Sequence, residues 1–505
     1  MNMRNTIIPA LALLAAGAGF ASSAGEQLSS AVSAAPDKID AAVQRVIDRG
    51  DSASVLVLGT RQLLAFPDGF AHAARRWDDR PRRELRAALI DSLKRIADTE
   101  QAEMAAIAGV RGTSLWIINA VAGRLAPAEI QRLSELSSVR YIYPAGQLPR
   151  PPDRQGVAFV LEPGPRPAFS LEGKTVPWNV EKIGARRVWD ELGVTAEGSV
   201  VAMLDLGVNY QHTELIDNIW INSNEIPNNG RDDDGNGYVD DLYGFDFGAM
   251  TAEVGAPPGT RQHGTMTSGI VASSGAGGIQ TGIAPRARIM PLRATGLVAN
   301  MRAYQYALDN GADVLNMSFS RPNLGHLRAV WRLMAEQAAV AGLVSVSGAG
   351  NFRETKQIPE QQRIPEGIPS VISAGGVDSM MNLLKFSSMG PVEWQSVKFY
   401  EDHPELIKPD VVAFPGAGYP LIDSEGVGYL DPNDVLRGNS FSGPHASGVA
   451  ALMLSANPDL PAWRVKELME QTARDLGPEG KDNRTGAGLV DAFAAVKAAL
   501  AARQH

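Results

Sequence analysis

The sequence predicts an α/β protein, a doubly wound, mainly parallel sheet preceded by a small α+β module. Three observations carry this. From Trp178 onward, short continuous apolar runs alternate with helical stretches, and such runs suit strands buried on both faces of a parallel sheet. Polar residues close these runs: Asp205 ends the first and Asn316 the third, while Asn351 lies just past the fourth. Ligands of such sheets bind at that carboxyl edge. Ahead of this region the pattern is different, a few strands and helices that give way to a proline-rich stretch.

Residues 1–24 read as a signal peptide: Arg4 supplies charge, 7–20 is almost wholly apolar, and Ser22-Ser23-Ala24 offers small residues for cleavage. The apolar run is shorter than the roughly 18–20 residues a membrane span needs, so no span is expected in the mature form. Residues 25–150 form the small module. Its expected elements are a strand at 54–59, a long helix at 82–108, a strand at 114–121, a helix at 127–136 and a strand at 139–143. In the long helix, Leu85, Leu89, Leu93, Ile96, Met104 and Ile107 keep a three-four rhythm, and Gly109 stops it. Prolines with scattered glycine and charge make 144–177 an extended linker, with 151–177 the expected maturation segment. The large domain is 178–505. Its strands are expected at 199–204, 288–292, 312–317, 343–347, 371–374 and 410–414, with helices notably at 301–309 and 327–341.

The 505 residues carry a net charge of −9 and no cysteine. Mild acidity, without a basic run interleaved with aromatics, excludes a nucleic-acid partner. The missing thiols exclude disulfides, thiol catalysis and thiolate metal sites.

The chain is organised around Gly438-Asn439-Ser440-Phe441-Ser442-Gly443-Pro444-His445, a loop turning into a buried helix, with Pro444 suited to a first helical turn. Ser440 thus precedes a helix N-terminus, where free backbone N–H groups and the dipole favour a developing anion. That suits a nucleophile whose attack creates an oxyanion. A serine at a helix cap is the plain alternative. Among seven histidines, His445 lies about 140° round the helix from Ser440 and points elsewhere. His263 opens a small-residue helix start, where an imidazole can approach a neighbouring backbone; taken alone, a structural His-Gly-Thr is the better reading.

Together, Asp205-Leu206-Gly207, His263-Gly264-Thr265, Gly350-Asn351 and Ser440-Phe441-Ser442-Gly443-Pro444 resemble the subtilisin-like serine proteases, or subtilases, whose triad runs Asp, His, Ser. Trp178-Asn179, Gly282-Ile283-Ala284-Pro285, Lys408-Pro409-Asp410 and Gly486-Ala487-Gly488-Leu489-Val490-Asp491 match as well. The resemblance spans roughly 178–496. It implies a subtilisin-like fold and a serine endopeptidase made as a zymogen, with Ser440 as nucleophile, His263 as base, Asp205 orienting the imidazole and Asn351 donating to the oxyanion. Ser318-Phe319-Ser320 would line the substrate cleft. Substrates would be proteins or peptides, the front module a prosegment acting as intramolecular inhibitor, and the enzyme a monomer without catalytic cofactor. Leu206, Asn439, Ser442 and Ser320 depart from the family's usual residues, and none removes a proton-carrying group.

Asp232, Asp234, Asn236, the Tyr238 carbonyl and Asp240 occupy alternating positions around a glycine turn, as in a calcium loop, so a structural Ca²⁺ is expected; position 12 is Tyr243 rather than glutamate. A plain acidic turn is the alternative. An esterase elbow would need Gly-x-Ser-x-Gly with the acid and base after the serine, and neither is present. The remaining alternative is an exported binding protein with an inactive triad.

Overall fold

The computed structural model describes residues 38–108, 112–148, 156–161, 166, 168–255, 263–321, 327–416, 418–423, 428–432 and 436–503. The expected signal peptide, 1–24, lies outside them.

The front module is an antiparallel four-stranded sheet with helices. Its elements are α1 (Ala41–Ile47), β1 (Ala53–Gly59), α2 (Gly69–Trp77), α3 (Arg82–Ala108), β2 (Thr113–Leu115), β3 (Ala120–Leu125), α4 (Pro127–Glu135) and β4 (Val139–Pro144), in sheet order β2-β3-β1-β4. Leu85, Leu89, Leu93 and Met104 of α3 are buried as the rhythm requires, while Ile96 and Ile107 are half-buried. The expected strand at 114–121 is corrected to two. A 3₁₀ turn at Trp116–Ile118 interrupts it, and Asn119 takes a left-handed φ of 43°, which reverses the chain.

The large domain follows with α5 (Trp178–Lys182), α6 (Ala185–Leu192), β5 (Val200–Asp205), β6 (Phe245–Asp246), α7 (His263–Ala272), β7 (Arg288–Arg293), α8 (Leu297–Asp309), β8 (Val314–Met317), α9 (Leu327–Val340), β9 (Val344–Gly348), β10 (Ile372–Gly376), β11 (Val411–Ala413), α10 (Ser442–Ala456), α11 (Ala462–Gln471) and α12 (Ala492–Ala501). Seven parallel strands run in the order β11-β10-β9-β8-β5-β7-β6. The sheet is the expected doubly wound, mainly parallel α/β core. Strand order reverses on either side of β5, and Asp205 is its last residue. Helix α10 is buried nearly all round, because its alanines, glycines and serines let neighbouring backbones approach.

The front module shares one hydrophobic cluster with α8 and α9, in which Leu58, Leu85, Leu89 and Ile117 join Tyr304, Ala307, Trp331 and Met334. Arg82 is buried there, its guanidinium on Asp313 at 2.6 Å and on the Gly342 and Pro458 carbonyls. Arg86 donates to Leu308 and Ala312 carbonyls at 2.8 Å, capping the C-terminal end of α8, where a cation is favoured. Beyond β4, Ala145 is buried and Gly146 and Gln147 line a hollow with Gly296, Leu297, Arg321 and Trp331. Beyond Pro144, the described parts of the proline-rich stretch carry no helix and no strand longer than the single bridge of Thr175 to Ile279. They lie on the large domain, Ala158 N–H donating to Glu253 and Lys174 to the Ser274 carbonyl.

Candidate active site

The site is assembled from loops that leave the carboxyl ends of β5, β8 and β9 and from the approach to α10. Asp205 closes β5 with its carboxylate buried. Its Oδ1 accepts the Leu206 N–H at 2.8 Å, and the pair of oxygens faces His263 Nδ1 at 2.8 and 3.0 Å. A carboxylate only accepts, so Nδ1 carries the proton and Nε2 is left bare, the tautomer a general base needs. Burial works against the charged ring, but the Asp205 carboxylate, through its charge and its hydrogen bond, more than offsets this and raises the His263 pKa above its ordinary value. His263 is the first residue of α7, and Gly264 permits the contact: a Cβ there would lie 2.3 Å from the Gly207 carbonyl oxygen. The sequence therefore brings Asp205 and His263 together through two glycines, Gly207 in the loop after β5 and Gly264 in the first turn of α7.

Ser440 sits half-buried two residues ahead of α10. Its hydroxyl donates to the Ser318 carbonyl at 3.2 Å, while Ser318 Oγ donates back to the Ser440 carbonyl at 2.8 Å. Among the described residues no hydrogen bond joins Ser440 to His263; the imidazole lies beside the neighbouring Phe441 ring, centroids 5.8 Å apart. Hydrogen bonds between a nucleophile and its base often tighten only with substrate. Asn316 ties this region together, donating to Ser318 Oγ and accepting from Ser447 of α10. His445 is turned away, as its position predicts: Nδ1–H donates to the Phe441 carbonyl and Nε2 accepts from Asn179.

Asn351, exposed beyond β9, accepts the Asn439 N–H on Oδ1 at 2.8 Å. Asn439 also donates its side-chain amide to the Gly350 carbonyl at 2.7 Å and to Ser387. Asn439 was readable in the sequence only as a departure from the resemblance. In the fold it is a fully buried clamp between the nucleophile loop and the Asn351 loop. Gly348 makes room for it, since a Cβ there would meet the Asn439 carbonyl at 2.1 Å. Ser318, Phe319 and Ser320 continue from β8 along the same edge. Ser320 donates a hydrogen bond to the buried Glu366. Leu206 is 60 % exposed at the rim beside Asp205.

In the acidic loop, the carboxylates of Glu225, Asp232 and Asp234 bring ligand oxygens within 4.8 Å of one another. Glu225 had no sequence signal as a ligand, because it precedes the repeating positions. Its Oε2 is buried without a hydrogen-bond partner, and hard carboxylate oxygens are what calcium takes. The residues fit the ion. Asp240 does not join this group: its left-handed φ of 55° turns its carboxylate onto the Asn229 and Gly230 N–H groups. Asn236 donates to Asp234 and Asp241, and the Tyr238 ring packs on Phe245 and Tyr306.

Residues 196–488 match the subtilase family. Subtilisin-like protease 1 of Plasmodium berghei is 28% identical over 61% of this chain and 51% of its own length. Bacillopeptidase F of Bacillus subtilis is 26% identical over 82% of this chain and 29% of its own length. Subtilisin DY of Bacillus licheniformis is 26% identical over 64% of this chain and all of its own. The chain thus spans about half or less of the first two relatives, and the whole of the third.

Proposed function

The chain belongs to the subtilase family, and from that premise we propose that it is a serine endopeptidase acting through an acyl-enzyme. The observation that carries this reading is the buried Asp205 carboxylate holding His263 Nδ1–H at 2.8 Å, which leaves a base free beside the Ser440 loop.

In the proposed reaction, Ser440 Oγ leaves the Ser318 carbonyl, gives its proton to His263 Nε2 and bonds to the peptide carbonyl carbon. The carbonyl oxygen takes up negative charge and is met by Asn351 Nδ2–H and the Ser440 N–H. As the carbon–nitrogen bond breaks, His263 returns the proton to the leaving amine. Water, deprotonated by the same nitrogen, then releases the acyl group. Asp205 keeps the ring in one tautomer and stabilises the imidazolium.

The precursor is proposed to be an exported monomeric zymogen, the front module serving as inhibitor and 151–177 as the maturation segment. The leader-like 1–24 supports export, and the shared core with α8 and α9 supports a module built to dock. Glu225, Asp232 and Asp234 would hold a structural calcium ion, which would offset most of the charge of three clustered carboxylates.

The hydrogen bond of Ser440 to Ser318 favours one second reading, a non-proteolytic binding protein whose serine stays parked. A serine-directed fluorophosphonate probe and denatured casein separate the two. The endopeptidase should label at Ser440 and degrade casein; the parked serine would do neither.

A further inference from the structure

Outside the groups assigned above, Glu366 stands apart. It lies on the loop between β9 and β10, fully buried, and that loop pairs with the cleft strand through the bridge of Arg321 to Ile364. Its Oε1 accepts from Ser320 Oγ and from the Arg363 N–H at 3.1 Å, whereas Oε2 has no hydrogen-bond partner. A Cβ on Gly350 would come within 3.0 Å of that Oε1, so the carboxylate abuts the residue next to Asn351. Among the described residues no ion pair serves it. The Arg363 guanidinium, whose charge reaches it, stacks instead on the Phe352 ring 3.7 Å away and donates to the Glu360 carbonyl.

A substrate acylating Ser440 with its oxyanion at Asn351 has its chain along 318–320. Its last side chain must then enter the slot between that strand and Gly350–Asn351. Ser320 and Glu366 stand at this slot. We propose that Glu366 is a specificity-determining residue that selects a lysine or arginine immediately before the cut bond, an inference that rests on the endopeptidase reading. A buried carboxylate with one bare oxygen and no counter-ion is costly, and a cationic donor supplies both missing partners. Burial already pushes the Glu366 pKa up to about 7, the response of a carboxyl lacking that cation. The chain's own linker offers such residues in Arg150, Arg154, Arg166 and Lys174.

The test uses the full chain, incubated until its mass is constant, with peptides differing only in the residue before the cut: Lys, Arg, Gln, Leu or Phe. The wild type should favour Lys and Arg over Leu by at least about 10²-fold in kcat/KM, and up to about 10⁴-fold where the buried polar partner is left unpaired. Glu366→Gln keeps the volume and the Ser320 bond. It should lose that preference while its Leu rate moves less than about threefold. A wild type preferring Leu or Phe, a variant retaining the Lys/Arg preference, or an equal loss on all five peptides would overturn the assignment. Calorimetry with uncleavable product peptides ending in Arg or Leu adds an arm independent of turnover. If Arg-ended product binds tighter to wild type alone while no peptide is ever cut, the selection by Glu366 stands and the endopeptidase reading falls.

Discussion

The Asn351 side-chain oxygen accepts the Asn439 backbone N–H at 2.8 Å, and this bond decides which end of the Asn351 amide is free to donate. A flipped amide would set NH₂ against N–H. The proposed oxyanion donor is therefore preset by a residue on the loop of the proposed nucleophile. Asn351→Ala should lower kcat on the order of 10²–10³-fold, the size known for loss of such a donor in subtilisin, with KM little changed. Asn351→Asp keeps the bond to Asn439 but offers no donor, so it should be at least as slow while melting like wild type. Steady-state kinetics beside thermal melts checks both.

The pH dependence follows from His263. The proposed base would work only when neutral, so kcat/KM should rise with pH and level off above a pKa higher than the ordinary 6.5. Asp205→Asn removes the charge that lifts this pKa. Its acid limb should move to lower pH while the plateau drops by about 10⁴-fold. A limb that stays in place would mean that another group titrates.

Much of this site was legible because each proposed catalytic residue sits in a short glycine-flanked motif at a strand end or helix start. The sheet was legible for a related reason: β5, β7, β8 and β9 are buried runs with polar closures. Asn439 and Glu366 were not, because their roles depend on Asn351 and Ser320, distant in sequence. Glu225 was hidden in the same way, brought to Asp232 and Asp234 by a loop rather than by spacing. The split between β2 and β3 turns on one left-handed asparagine, which an apolar pattern does not register.

The acidic loop should make stability depend on calcium. An ion bound only by the native state raises the melting temperature by mass action, so chelator should lower it and millimolar calcium restore it. Glu225→Gln should lose that response as fully as Asp232→Ala with Asp234→Ala, whereas Asp240→Asn should keep it. Identical melts of wild type with chelator and with calcium would reduce the loop to a plain turn.

Asp410 leads into β11 as a fully buried carboxylate, held by Lys408 and Lys466 at 2.6 Å and Lys481 at 3.1 Å. Burial opposes its charge, but the three lysines outweigh it and keep the carboxyl well below the usual range. Stability from this group is present above the unfolded carboxyl pKa and lost as pH falls towards the folded one. Asp410→Asn leaves the buried Lys408 ammonium without a carboxylate, whereas Lys466 and Lys481 keep Glu470, and should cost about 3–5 kcal/mol at neutral pH. Urea unfolding should show the deficit shrinking in acid.

Self-processing tests the zymogen reading most directly. The linker is tethered to the site it would enter, so its effective concentration is high and even a modest catalyst should cut it. The precursor without its leader should release a fragment of roughly 330–360 residues, a large but ordinary catalytic domain, after a cut between Pro144 and Trp178. Ser440→Ala removes one oxygen whose observed bond is a weak one to Ser318, so it should fold and stay full length. His263→Ala should also stay uncut, and because triad members act as a unit the double variant should be scarcely worse than either. Asn439→Ala should process slowly, since it frees the Asn351 loop while leaving nucleophile and base in place. Intact mass spectrometry reads all of these. Equal processing of Ser440→Ala would assign the cut to an outside protease, and an uncut wild type that also ignores casein would leave Ser440 parked on Ser318.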